Sequence, residues 1–303
     1  LGMRVCWWNT IALHWMMLLP FAFGAELGSN FEKENLVAWC IVPFDAKQRT
    51  PAERAKMLHE LGIGRCAYDW RAQHVPEFED EILQYREHGI DFFAFWGVHE
   101  NAFELFEKHG LHPQIWHTAA SPKGGTQSEK VAAAADAMDA LATRTAEIGC
   151  QLGLYNHGGW GGEPQNLVAV CKELRARGHE HVGIVYNWHH GHDRIAEWEQ
   201  SLKLMQPFLM CLNLNGMNRD ADPKIVPLTQ GEYDLQMLKT LVASGYTGPI
   251  GILDHQDKLD SKVALMDNLE GLAWLMEELR KPGSGGAKPR LRQPATPDYP
   301  ARD

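Results

Sequence analysis

Two stretches of the chain gather side chains able to move protons and hold hydroxyl groups. Residues 153–164 read GLYNHGGWGGEP and residues 182–192 read VGIVYNWHHGH. Each begins as an apolar run and breaks into a polar, Gly-bearing turn. Each turn sets imidazole beside amide: Asn156 with His157, and Asn187 with His189 and His190. Imidazole gains and loses a proton near neutral pH. A primary amide donates and accepts hydrogen bonds without changing charge. Together they suit proton transfer on an uncharged molecule rich in hydroxyls, with His157 and His190 as the candidate acid/base groups.

Such residues need a frame that repeats. Residues 164–177 have helical character, with Pro164 at the start and Gly178 just past the end, so the two turns belong to one βαβ unit. Apolar runs at 36–42, 65–68, 91–96, 114–116, 151–155, 182–186, 208–214 and 249–253 alternate with helical patterns along the whole chain. Thr50-Pro51-Ala52-Glu53 is a capping box, and Gly62, Gly89, Gly110, Gly149, Gly178 and Gly245 each stop a helix just before a strand. Eight strands alternating with eight helices over about 250 residues predict a (β/α)₈ TIM barrel. An open doubly wound sheet is the alternative, but no G-x-G-x-x-G follows any strand.

In a barrel the turns after the strands converge on one mouth. Arg71, Trp96, His117, Trp160, Glu163, Asn213 and His255 all lie at strand ends and join Asn156 and Asn187 as candidate substrate-binding residues. Asp45, Asp69 and Glu100 also follow strands, but helix capping or surface pairing explains them equally well. Trp96 and Trp116 either line a sugar pocket or plug the barrel top. Six of the fifteen His (His59, His88, His109, His112, His179 and His181) fall near the opposite strand ends, so a His counts as a candidate only within a cluster.

A net charge of −10 argues against a nucleic-acid backbone as the main partner. Arg4, the apolar segment 11–23 and the small residues at 22–25 predict a signal peptide over 1–25, hence an exported protein, periplasmic or extracellular, with no membrane span in the mature chain. A short membrane anchor is the alternative, since His14 and Trp15 interrupt the apolar run. Removing that segment leaves five of six Cys, which read as buried free thiols. The barrel domain is expected over 26–280, and the Pro/Gly-rich stretch 281–303 as a disordered tail.

The series GLYNHGGWGGEP, VGIVYNWHHGH, LNLNGM, TQGEYD and GPIGILDH resembles the sugar phosphate isomerase/epimerase group of the xylose isomerase-like barrels, over roughly residues 36–279. The resemblance implies the barrel, a small-molecule carbohydrate substrate and a divalent metal at the mouth. In that group the metal is held by a Glu after strand five, an Asp after strand six, a His on strand seven and a Glu after strand eight. The corresponding positions here are Tyr155, Asn187, Asn213, and Leu253 or Asp254, whereas the second imidazole of the strand-six motif, His190, is kept. Either the metal is weak or absent, or it moves to His157, His190 and His255 with Asp254. An imidazole set would favour zinc or a neighbouring transition metal over magnesium. The expected function is a sugar isomerase- or epimerase-like enzyme working by proton transfer next to a carbonyl: isomerisation, epimerisation or elimination from a keto-glycoside. The alternatives are a non-catalytic sugar-binding barrel with a decayed metal site and a metal-dependent endonuclease. The replaced ligands and the acidic charge count against the endonuclease.

Overall fold

The computed structural model describes Gly2 and residues 28–292 other than Asp257. The expected signal peptide, Gly2 apart, and residues 293–303 of the tail lie outside the described residues. Eight strands, β1 (Leu36–Trp39), β2 (Arg65–Tyr68), β3 (Asp91–Trp96), β4 (Gln114–Thr118), β5 (Gln151–Tyr155), β6 (Val182–Asn187), β7 (Leu209–Leu214) and β8 (Ile250–Leu253), pair in parallel in chain order. They alternate with α1 (Pro51–Leu61), α2 (Phe78–Glu87), α3 (Glu100–His109), α4 (Gln127–Glu147), α5 (Pro164–Ala176), α6 (Trp198–Met205), α7 (Asp234–Ala243) and α8 (Ser261–Arg280). The ring closes where β1 pairs with β8, Val37 beside Gly251 and Trp39 beside Leu253. The chain is therefore the (β/α)₈ barrel that its pattern predicts.

The end of the first strand differs from the sequence reading. β1 stops at Trp39 because Cys40 adopts a left-handed backbone, φ 61°, and turns the chain out of the sheet. α4 is capped by Thr126, through a reciprocal box with Glu129. A 3₁₀ run, His192–Glu197, leads into α6, which begins at Trp198.

The strands are apolar on both faces because both are covered. Between strands and helices lies a layer that includes Leu58, Ile82, Phe103, Phe106, Leu167 and Leu238. Inside the ring a second cluster includes Val37, Ala67, Trp116, Tyr155, Val185 and Cys211. Trp116 is fully buried there, its indole N–H donating to Gln114 Oε1 at 2.8 Å, so it plugs the barrel instead of lining a pocket. Trp39 meets Trp116 edge-on with ring centroids 4.9 Å apart, and Trp96 meets Tyr155 likewise at 4.8 Å. Such pairs add about 0.5–1.5 kcal/mol each beyond burial. Gly153 makes this packing sterically feasible: a Cβ there would sit 2.6 Å from Val185 and 3.0 Å from Trp116.

The seam of the ring is tied at its top. Asp45 Oδ1, in the loop after β1, accepts from Arg49 at 2.8 Å and from the Ser261 amide at 3.2 Å, while Arg49 also bonds Asp260 at 2.6 Å. Asp260 caps α8 through the Lys262 amide. Asp45 is thus a structural carboxylate. All five Cys of the described residues are buried free thiols. Among the described residues no helix is long and apolar enough to cross a membrane. Residues 281–292 contain no helix or strand, yet they are held to α8 by hydrogen bonds from the Gly283 and Gly285 amides to Glu278 and by the ion pair of Arg292 with Asp267. Up to 292, then, this part of the expected disordered tail is docked.

Arg54 on α1 and Glu81 on α2 form an ion pair with both side chains removed from solvent, and Arg54 Nη2 also donates to the Arg49 carbonyl at 2.6 Å. Removing one partner of such a pair leaves the other charge buried and uncompensated, which costs about 3–5 kcal/mol. Glu81→Ala is therefore expected to lower the unfolding free energy by about that amount in urea titrations. A loss below about 1 kcal/mol, typical of an exposed pair, would contradict the burial of this one.

Candidate active site at the barrel mouth

Six of the predicted residues meet in one cavity at the C-terminal ends of the strands: Arg71, Trp96, His157, Asn187, His190 and His255. The cavity holds about 420 Å³ counted to its open mouth. Its wall is completed by Trp39, Cys40, Phe44, Asp69, Tyr155 and His189.

Local hydrogen bonding sets the imidazoles in place. Asn187, the last residue of β6, accepts the His189 amide at 3.1 Å and so shapes the turn Trp188–His190. Its Nδ2 donates to the Tyr155 hydroxyl at 2.6 Å, and the Trp39 indole donates to the same oxygen at 3.2 Å. The rings of His157 and His190 then lie 4.5 Å apart, those of His189 and His190 4.4 Å, and those of His189 and His255 5.2 Å. His157 is at the exposed rim and His189 is buried. On the facing wall, the Trp70 indole donates to the Trp96 carbonyl at 2.7 Å, and the Arg71 guanidinium lies 5.3 Å from the centre of the Phe44 ring.

Burial dominates the electrostatics. It lowers His190 to about 2, with the neighbouring His157 and Lys224 acting in the same direction. It lowers His255 to about 4, helped by Arg71, and pushes His189 well below its ordinary value, helped by His190 and His255. Burial acts oppositely on acids. Asp69 rises to about 7 and Asp254 well above the usual carboxylate range. At neutral pH His189, His190 and His255 are therefore uncharged.

Five predicted residues are placed elsewhere, each for a visible reason. Asn156 stitches the ends of β5 and β6: Nδ2 donates to the Asn187 carbonyl at 3.0 Å and Oδ1 accepts the Asn187 amide at 2.7 Å. Asn213 is sealed inside the barrel, filling the space over Gly251, where a Cβ would lie 1.8 Å from its Oδ1. His117 is half-buried on β4 and does not line the cavity; burial lowers its pKa. Trp160 donates to Gln127 Oε1 at 3.2 Å and packs on the outer core. Glu163 precedes α5 and forms an ion pair with Arg194. The wall residues not foreseen, Trp39, Cys40, Phe44 and Tyr155, are apolar or aromatic and read in sequence as core.

The family profile of the xylose isomerase-like TIM barrel matches residues 33–280. The chain belongs to the xylose isomerase-like TIM barrel family. No curated protein matches its sequence. Among solved structures, the barrel is similar to 3-keto-D-glucoside 4-epimerase YcjR from E. coli in its apo form, with TM-score 0.59 and 15% identity over 80% of this chain and 98% of that one. It is similar to the IOLI protein with a bound zinc atom, TM-score 0.64 and 12% identity over 81% and 99% of the two chains. It is similar to D-psicose 3-epimerase in the presence of D-fructose, TM-score 0.57 and 12% identity over 82% and 100%. At these identities the likeness is one of fold.

The metal implied by the family does not fit this member of the xylose isomerase-like barrels. At the strand-five position stands Tyr155, whose oxygen already receives two hydrogen bonds. The strand-seven position is Asn213, sealed over Gly251. Among the described residues no three His, Cys, Asp or Glu side chains are arranged to hold a metal ion.

A pH dependence of stability follows from His190. Its folded pKa of about 2 lies below the ordinary 6.5, so the unfolded chain binds a proton that the folded chain refuses. Stability is lost as pH falls from about 6.5 toward 2. Between pH 7 and 4 the unfolding free energy of the parent should drop by on the order of 3 kcal/mol more than that of His190→Gln. Urea unfolding at the two pH values measures it; equal slopes would mean that the ring is solvated.

Proposed function

We propose that this barrel is an enzyme acting on a small carbohydrate by proton transfer next to a carbonyl, in an isomerisation, an epimerisation or an elimination from a keto-glycoside. The observation that carries the reading is the pair His157 and His190, 4.5 Å apart in a cavity walled by Trp96 and Tyr155. Two imidazoles this close do not both carry a proton readily, because like charges at that distance repel. Abstraction of a proton beside a carbonyl needs a base, together with groups that polarise the carbonyl oxygen. Burial makes His190 a weak proton acceptor, so His157 at the exposed rim takes the proton and exchanges it with water, with His190 packed beside it. Arg71 and Asn187 supply donors for substrate oxygens, and Trp96 offers a face for a sugar ring. The names of the similar YcjR and D-psicose epimerases support a carbohydrate substrate. Export is proposed on the N-terminal apolar segment alone.

A second reading, a sugar-binding barrel without turnover, is favoured by one observation: the family's ligand positions carry Tyr155, Asn187 and Asn213. Screening keto-sugars and keto-glycosides for turnover separates the two. His157→Ala and His190→Ala are each expected to lower kcat by roughly 10²-fold or more, the usual weight of a general base, with unchanged circular dichroism. Full activity in both variants ends the assignment, and tight sugar binding with no turnover by the parent favours the binding barrel.

A further inference from the structure

Asp69 follows β2 directly and lines the cavity, with only 2% of its surface exposed. No side chain donates to either carboxyl oxygen; the Val42 amide and its own amide lie beside it but do not meet hydrogen-bonding geometry. Arg71, two residues on, turns its guanidinium to the Trp70 carbonyl and the Phe44 ring. The contrast with Asp45 is informative. That carboxylate is as buried, but it is filled by Arg49 and by the amides of Lys47, Arg49 and Ser261. A buried polar group left without partners costs free energy, and Asp69 faces the space where a ligand would sit.

We propose that Asp69 is the acid of the reaction, giving its proton to the carbonyl oxygen while the His157–His190 pair takes the proton from the adjacent carbon. This inference rests on the proton-transfer reading above. In the ring of eight β2 lies opposite β6, so Asp69 and His190 enter the same cavity from opposite strands, with His157 after the adjacent β5. The C–H electron pair becomes the C=C bond of an enediol, and the carbonyl π pair takes the carboxyl proton as a new O–H. The products on the protein are one carboxylate and one imidazolium, so charge is conserved. Return of the protons, to either face or to the neighbouring carbon, restores both groups.

Burial is the cause that keeps this carboxyl protonated to about pH 7. The charges of Arg71 and Arg54 and the amides of Val42 and Asp69 pull the other way, and only in part. The nearby titratable groups, Cys40 and Asp254, are themselves raised by burial. A carboxylic acid held neutral by its surroundings is a recurrent donor in enolisation sites.

The test uses Asp69→Asn, which keeps shape and loses the acid. On a keto-sugar that the parent turns over, kcat is expected to fall by roughly 10²-fold or more, with KM changed by less than about threefold. The parent's kcat should decline as pH rises through about 7, and this limb should be missing from the residual activity of D69N. Full activity in D69N, with His157→Ala inactive, overturns the role of Asp69 and leaves the histidine reading standing. Should D69N fail to fold, the parent decides: a pH profile without the falling limb, or an infrared spectrum without a carboxylic acid band at pH 6, overturns the inference. No turnover by the parent on any keto-sugar removes the proton-transfer reading, and the acid with it.

Discussion

The hydroxyl of Tyr155 is the contact on which the mouth depends. It receives the Trp39 indole from β1 and the Asn187 amide from β6, so three strands meet at one oxygen. Asn187 is then fixed and can hold the turn that carries His189 and His190. The Tyr155 ring stands edge-on to Trp96, and its centroid is 5.8 Å from that of His190. In the family pattern this position is a metal-binding carboxylate. A carboxylate here would stabilise imidazolium in the cluster. A neutral phenol leaves burial unopposed, and the rings stay uncharged.

The site is accordingly built from neutral forms of ionisable groups. Burial moves His190 and Asp69 in opposite directions, to about 2 and about 7, and both moves favour the uncharged state. In the proposed reaction charge would appear only as it proceeds, one negative and one positive group at once, in a cavity whose dipoles are fixed beforehand. A sugar without charge would enter such a site without displacing a counter-ion. Burial, helped by the cationic groups Arg71 and Lys224, keeps His255 from gaining a proton at neutral pH.

The fold was readable in the sequence because six of the eight helices end in a glycine and the strands open into polar turns; Gly62, Gly110, Gly149 and Gly178 all have positive φ. The end of β1 was not readable, since nothing in the residue type tells that Cys40 takes a left-handed conformation. For the site, strand-end position was a sound guide to His157, His190, His255, Arg71, Trp96 and Asn187. It was a poor guide to Asn156, which looks the same in sequence as Asn187 but serves as a link between strands. Asp45 and Asp69 present the same difficulty. Both are acidic residues just after a strand, and only their surroundings separate a filled structural carboxylate from an unfilled one. Trp39 and Phe44 reach the cavity as side chains whose type and spacing mark them as core.

The closure of β1 on β8 has a consequence for the newborn chain. Synthesis proceeds from β1, whose second partner is not made until Ile250–Leu253 leaves the ribosome. Until then β1 and the latest strand each offer an unpaired edge of parallel, strongly apolar backbone, the kind that recruits other chains. The latch of Asp45, Arg49 and Asp260 also joins the two ends of the barrel, so it too forms last. Docking of the final β/α unit thus ends the interval in which the nascent protein is adhesive.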